Sequence, residues 1–261
     1  MEVIIKNNQE QACKLGAKIV ARFMRKKTKM VLGLATGSTP LPIYKELIRM
    51  HREEGLSFSQ TVTFNLDEYV GLPPGHPGSY RTYMEDNLFR HVDIATCATH
   101  LPNGNADDIP TACAEYERSI QTAGGIDLQI LGLGGDGHLA FNEPSSSLRS
   151  RTRLKTLTTE TRKANAAVFG KAEKVPMHVI TMGLETIMAA RCCLLFAFGR
   201  GKADATQKMI EGPVSASCPA SILQFHEQAV VIIDEDAASQ LINHEYYREV
   251  YSEKPDWQKW E

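Results

Sequence analysis

The chain has 261 residues, 43% hydrophobic and 23% charged, with a formal net charge of −2. That balance suits a globular domain, and the absence of a global positive field argues against nucleic acid or an anionic membrane as a partner. The N-terminal Met1-Glu2-Val3-Ile4-Ile5-Lys6 is too short an apolar run for a signal peptide. No stretch approaches the roughly 18 consecutive apolar residues of a membrane span.

Apolar residues at 12, 15, 16, 19, 20 and 23 follow the i, i+3, i+4 rhythm and predict an amphipathic helix over 9–26. Met30-Val31-Leu32-Gly33-Leu34-Ala35 reads as a buried strand running into Thr36-Gly37-Ser38-Thr39-Pro40. Thr39 is a candidate cap for a helix opening at Pro40. A strand over 61–66 ends at Asp67-Glu68, and helices are expected near 79–90 and 109–122. A strand over 126–133 ends at Gly134-Gly135-Asp136. Strand 177–182, helix 184–190, strand 192–198, helix 202–211, strand 229–234 and a C-terminal helix follow. Strands that are nearly continuous apolar runs, alternating with helices, predict one α/β domain over 1–261. Its sheet is expected to be mostly parallel, with helices on both faces.

Ligands in such sheets bind beyond the carboxyl ends of the strands. Three polar clusters fall there: 36–39, 65–68 and 134–143. The Thr36, Gly37, Ser38, Thr39 loop is either a plain strand-to-helix turn or a cradle of N–H groups and hydroxyls for a phosphomonoester. It has neither a Walker lysine nor a GxGxxG pattern. Asp67 and Glu68 are either a solvated strand end, a helix cap, or a carboxylate base able to move a proton beside a carbonyl. In Gly132-Leu133-Gly134-Gly135-Asp136-Gly137-His138-Leu139-Ala140-Phe141-Asn142-Glu143-Pro144, Asp136 and Glu143 are placed to set the tautomer of His138. One histidine with two carboxylates is a sparse set for a metal. Basic residues gather at Arg149, Arg151, Arg153, Lys155, Arg162 and Lys163, either a solvated face or a second anion site, and Lys202, opening a helix after an apolar strand, is either a surface lysine or a partner for a phosphate. The six cysteines have no metal-like spacing and read as reduced thiols, which suggests the cytoplasm.

In order along the chain, Thr36-Gly37-Ser38-Thr39-Pro40, Phe64-Asn65-Leu66-Asp67-Glu68-Tyr69, His76-Pro77-Gly78-Ser79-Tyr80, Asp136-Gly137-His138 with Phe141-Asn142-Glu143-Pro144, Ser150-Arg151-Thr152-Arg153 and Gly201-Lys202-Ala203 resemble the glucosamine-6-phosphate deaminase family. The resemblance implies a Rossmann-like fold and conversion of glucosamine 6-phosphate and water to fructose 6-phosphate and ammonia, with neither cofactor nor metal. It implies that His138 assists ring opening, held by Asp136 and Glu143, and that Asp67 moves the proton between C2 and C1. The 36–39 loop and Lys202 would hold the phosphate. Relatives bind N-acetylglucosamine 6-phosphate at a subunit interface as an activator, so a homo-oligomer is expected; the matching positions are Ser146, Arg153 and Lys155.

One position departs from this pattern. Many relatives carry an arginine that grips the phosphate where this chain has Ala167, and Lys171 and Lys174 are candidates to replace it. The rival readings are a galactosamine-6-phosphate deaminase, a 6-phosphogluconolactonase, whose Asp-Gly-His segment is similar, and a sugar-phosphate sensor. No helix-turn-helix precedes the first strand, and the complete acid/base set argues against the sensor.

Overall fold

The computed structural model describes residues 1–171 and 174–260. Its central sheet has seven parallel strands. These are β1 (Glu2–Lys6), β2 (Val31–Leu34), β3 (Val62–Asn65), β5 (Thr99–His100), β6 (Leu128–Gly132), β9 (Cys193–Ala197) and β10 (Ala229–Asp234). They lie in the order β1-β10-β9-β6-β2-β3-β5. Every residue of β9 and β10 is buried, so both faces of the sheet are covered, as continuous apolar runs require. Covering elements include α1 (Gln9–Lys26), α2 (Leu41–Glu54), α4 (Ile109–Thr122) and α7 (Ala203–Ile210). In α1, Asn8 accepts a hydrogen bond from the N–H of Gln11 at 2.9 Å and caps the helix.

A smaller antiparallel sheet stands beside this one. It is built from β4 (Asp67–Tyr69), β8 (His178–Thr181) and β7 (Arg153–Thr156), in the order β4-β8-β7. The sequence reading put residues 177–182 into the parallel sheet and gave no strand to 67–69 or 153–156. A buried apolar run looks the same in either sheet, while three residues opening on two acids, as in β4, and a polar strand of four, as in β7, look like loops. The N–H of Leu66 bonds to the carbonyl of Leu34 and its carbonyl accepts from Met182. The chain therefore passes from one sheet to the other at Leu66, with Asp67 as the first residue beyond. The helix after β2 also differs from expectation. It begins at Leu41 with Pro40 as its cap, and the side chain of Thr39 makes no capping bond.

Order in the sheet explains where a ligand can enter. From β2 the chain winds outward to β3 and β5, then returns with β6 on the other side of β2. Reversal between adjacent β2 and β6 leaves a crevice at their carboxyl ends, the usual ligand site of such sheets. The loops after β3, β2, β6 and β9 are thus four neighbours around one opening. A second small core, of Tyr69, Phe141, Leu157, Val175 and Val179, fills the space between the small sheet and α5 (Thr159–Ala164) with the turn that follows it.

Gly104 braces β4 from outside. Its carbonyl accepts from the N–H of Gly71, and a Cβ there would lie 2.0 Å from the carbonyl oxygen of Tyr69. Backbone cannot swing aside as a side-chain tip can. Gly104→Ala is expected to cost about 1–3 kcal/mol of stability, read as a lower urea midpoint; a wild-type midpoint would show that the loop yields freely.

Candidate functional site

The opening at the strand ends is a cleft of about 1080 Å³. Its walls include Thr36, Gly37, Ser38, Thr39, Asp67, Asp136, His138, Glu143 and Lys202. All nine residues that the sequence assigned to catalysis and substrate binding therefore meet in one place, although they come from four separate loops.

Asp67 and Glu68 divide the two roles their sequence left open. Glu68 accepts from the N–H of Tyr69 at 2.8 Å, of Tyr80 at 2.9 Å and of Arg81 at 2.9 Å. It ties β4 to the start of α3 (Tyr80–Asn87). Asp67 is 5% exposed, and no described residue donates a hydrogen bond to its carboxylate. Burial, with the neighbouring charge of Glu68 adding to it, pushes its carboxyl up to about 8. A carboxyl with that value is suited to taking up and returning protons near neutral pH.

Across the cleft, the turn after β6 holds His138. Asp136 Oδ1 lies 2.6 Å from His138 Nδ1 and accepts from the backbone N–H of His138 at 3.1 Å. The imidazole of His138 beside it holds the Asp136 carboxyl below the usual carboxylate range, although the close Nδ1 contact is not aligned as a hydrogen bond and only the backbone N–H of His138 is. Nε2 is then the ring nitrogen left for a ligand. The turn is strained: Gly137 has φ +85°, and the non-glycine residues Ala140 and Ser145 have φ of 53° and 75°. Left-handed non-glycine residues cost about 1–2 kcal/mol each. Neighbours hold the turn in place: Ala220 donates to the carbonyl of Gly137 at 2.9 Å, Ser145 to that of Ala216 at 2.8 Å, and Phe141 to Thr181 Oγ1 at 3.2 Å. Glu143 behaves differently from the sequence expectation. It accepts from the hydroxyl of Thr161 on α5 and makes no hydrogen bond to His138 among the described residues.

For an anion, the cleft offers the backbone and hydroxyls of 36–39 and the ammonium of Lys202. Tyr83 fixes the loop by donating to the carbonyl of Gly37 at 2.6 Å. Burial lowers the Lys202 ammonium from the ordinary lysine value, opposed by the charge of Asp136. Lys202 is the one lysine or arginine in the cleft wall among the described residues, and it shares that wall with Asp67, Asp136, Glu143 and Glu160. Ala167 lines the wall, whereas Lys171 and Lys174 do not, so neither lysine stands in for an arginine there. Arg162 turns away, donating to the carbonyl of Val175 at 3.1 Å.

The other anion set is not brought together in the cleft. Arg153 donates to Asn142 Oδ1 at 2.9 Å and lines a separate groove between α4 and β7. Ser146 is buried with its hydroxyl unpartnered, and neither Ser146 nor Lys155 lines that groove. The sequence reading missed the far wall of the cleft, where Thr158, Glu160, Thr161, Asn165 and Phe169 stand. Phe169 packs edge-on against Tyr69 and stacks on His76. A polar, alanine-rich stretch gives no signal that it covers a site; its larger apolar residues are Val168 and Phe169, and both line the cleft.

Comparison with known proteins places the chain in a family. The family model described as glucosamine-6-phosphate isomerases/6-phosphogluconolactonase matches residues 6–232. A glucosamine-6-phosphate deaminase of Arthrobacter sp. (strain FB24) is 52% identical over 258 residues, covering 99% of each chain. Another, of Hahella chejuensis (strain KCTC 2396), is 52% identical over 97% of each. A solved structure described as a monomeric glucosamine-6-phosphate deaminase superposes with TM-score 0.90 at 43% identity, over 92% of this chain and 100% of the other. The 6-phosphogluconolactonase of Thermotoga maritima shares the fold at 21% identity and TM-score 0.69, over 89% and 98%.

The raised value of Asp67 has a consequence for stability. Its folded value of about 8 lies above the ordinary value of 3.8. Between those pH values the folded protein keeps a proton that the unfolded chain has released, so this group's contribution falls as pH rises through the window. Asp67→Asn is expected to match the wild type near pH 4 and to exceed it at pH 8.5 by more than about 1 kcal/mol, measured by urea unfolding at both pH values. A less stable variant at pH 8.5 would contradict the burial argument.

Proposed function

Since the chain belongs to the family of glucosamine-6-phosphate isomerases and 6-phosphogluconolactonases, we propose that it is a glucosamine-6-phosphate deaminase, converting glucosamine 6-phosphate and water to fructose 6-phosphate and ammonia. The observation that carries this reading is the pairing, across one cleft, of a buried carboxyl of raised value with a histidine oriented by an aspartate, beside a phosphate-sized loop and a lysine. Ring opening and enolisation are separate proton transfers, and the cleft holds a separate group for each. About half of all residues are shared with proteins named for this activity, which supports it over the lactonase, whose named structures share the fold at 16–21% identity.

In this reading the 36–39 loop and Lys202 bind the phosphate and fix the sugar along the strand ends. His138 passes a proton between the ring oxygen and the C1 hydroxyl, with Asp136 stabilising the imidazolium. Asp67, once ionised, removes the proton from C2 and returns it at C1, while one proton of the amino nitrogen passes to O1, leaving an imine that water hydrolyses to ketone and ammonia. Glu143 fastens the 158–169 segment over the site through Thr161, keeping water from the enolamine. The reading takes the enzyme as cytoplasmic, supported by six free thiols. It also takes it as self-associating, supported by the exposed Ile242, Tyr246 and Val250, although the solved relative is described as monomeric.

Ammonia release from glucosamine 6-phosphate is expected, faster than from the galactosamine epimer, and Asp67→Asn should lose at least roughly a hundredfold in kcat. Wild-type kcat/KM should rise with pH toward about 8 as Asp67 ionises. Turnover of 6-phosphogluconolactone without ammonia release from either amino sugar would replace this reading. Restoring a guanidinium with Ala167→Arg should lower KM by about tenfold, one charge-assisted hydrogen bond, with kcat little changed. An unchanged or higher KM would mean that the phosphate lies elsewhere.

A further inference from the structure

At the amino ends of the strands, opposite the cleft, lies a second cavity of about 650 Å³. Its walls include Arg22 and Lys26 from α1, Lys27 just past its end, Arg191 before β9, and Lys254, Trp257 and Trp260 from the C-terminal segment. None of them lines the cleft. The chain as a whole carries −2, so this is a local concentration of positive charge.

Pairing within the cavity is incomplete. Buried Asp127 accepts from Lys27 Nζ at 2.6 Å, from Arg191 Nη1 at 2.7 Å and from the N–H of Val31 at 2.9 Å, so two cations share one carboxylate. Glu2 takes Lys254. Arg22 donates to the carbonyl of Lys259 at 2.7 Å, which carries no charge, and lies over the ring of Trp260 at 5.4 Å. Lys26 has no partner among the described residues. Among the described residues, Arg22, Lys26 and one of Lys27 or Arg191 are therefore uncompensated. The two indoles differ as well. Trp260 is fixed, stacked on Phe23 at 6.3 Å with its N–H donating to Glu2 at 3.2 Å. Trp257 is 75% exposed and presents its ring to solvent at the cavity wall.

Uncompensated cations suit a multiply charged anion, and a free indole face suits a planar ring. A sugar phosphate offers the first and not the second; a nucleoside polyphosphate offers both. We propose that this cavity is a binding site for a nucleoside polyphosphate, with the phosphates on Lys26, Lys27 and Arg191 and the base stacked on Trp257. The ligand would not compete with a molecule in the cleft. It would sit under β2 and β6, the two strands whose other ends carry the 36–39 loop and the His138 turn.

Trp257 and Trp260 are the chain's two tryptophans, so intrinsic fluorescence of the full chain reports on this cavity. ATP, tripolyphosphate and adenosine are titrated separately. Saturable quenching by ATP is expected, at least about tenfold tighter than by either of the others, since each lacks one half of the interaction. Lys26→Glu, at an exposed position, should weaken ATP by roughly tenfold or more with an unchanged circular dichroism spectrum. Trp257→Ala should weaken it comparably by calorimetry. No saturable response to ATP, equal affinity for tripolyphosphate and ATP, or an affinity indifferent to Lys26→Glu would each overturn the proposal.

Discussion

Three backbone N–H groups converge on the carboxylate of Glu68, and much of the candidate site depends on them. They come from Tyr69, Tyr80 and Arg81, so one side chain joins a three-residue strand to the first turn of a helix. Strand β4 is too short to hold itself by pairing with β8 alone. With Glu68 anchored, Asp67 has no freedom to turn toward water, and it stays buried without a donor. Adjacent acids thus have opposite environments: one receives three N–H groups, while the other is buried beside a like charge with no donor among the described residues. The raised value of Asp67 follows from that division.

The same logic of local cost and distant support governs the His138 turn. Three left-handed residues in nine positions do not arise from local preference. They persist because the backbone around 216–220 and the side chain of Thr181 satisfy the turn's hydrogen-bonding groups. Cys218 closes the contact: a Cβ on Gly137 would lie 2.6 Å from its sulfur. Burial raises the Cys218 thiol, which packs here as a small apolar group. Oriented His138 and buried Asp67 therefore rest on different supports, the first on the loop before β10, the second on α3 and the Gly104 loop.

Among the described residues, charge in the cleft is mostly negative around a single lysine, which bears on how a phosphate could be held. Backbone N–H groups at the strand-to-helix turn carry no formal charge and keep their strength beside carboxylates. A site that relies on them tolerates acidic catalytic neighbours better than one built from several cations. The segment over the cleft adds closure rather than charge. Phe169 fits against Gly78, Tyr69 and His76, and Thr161 reaches Glu143.

What could be read from the sequence was whatever depends on near neighbours along the chain. Apolar period set α1 and the buried strands to within a residue or two, because burial of one helical stripe or of both strand faces is written into spacing. Glycine-rich turns after apolar runs marked Thr36–Thr39 and Asp136–His138, since the ends of parallel strands are where such turns serve ligands. The roles of Ser146, Arg153 and Lys155 came from resemblance, and the fold leaves them apart from the cleft. Only the tertiary structure decided that residues 178–181 pair antiparallel with 67–69, that Glu68 rather than Asp67 receives the N–H groups of Tyr80 and Arg81, that Glu143 faces Thr161, and that no lysine replaces the side chain absent at Ala167. Each of these turns on groups far apart in sequence. A strand's partner and a carboxylate's surroundings are set by what the rest of the chain brings to it, and the residue's own neighbours along the chain carry no record of that.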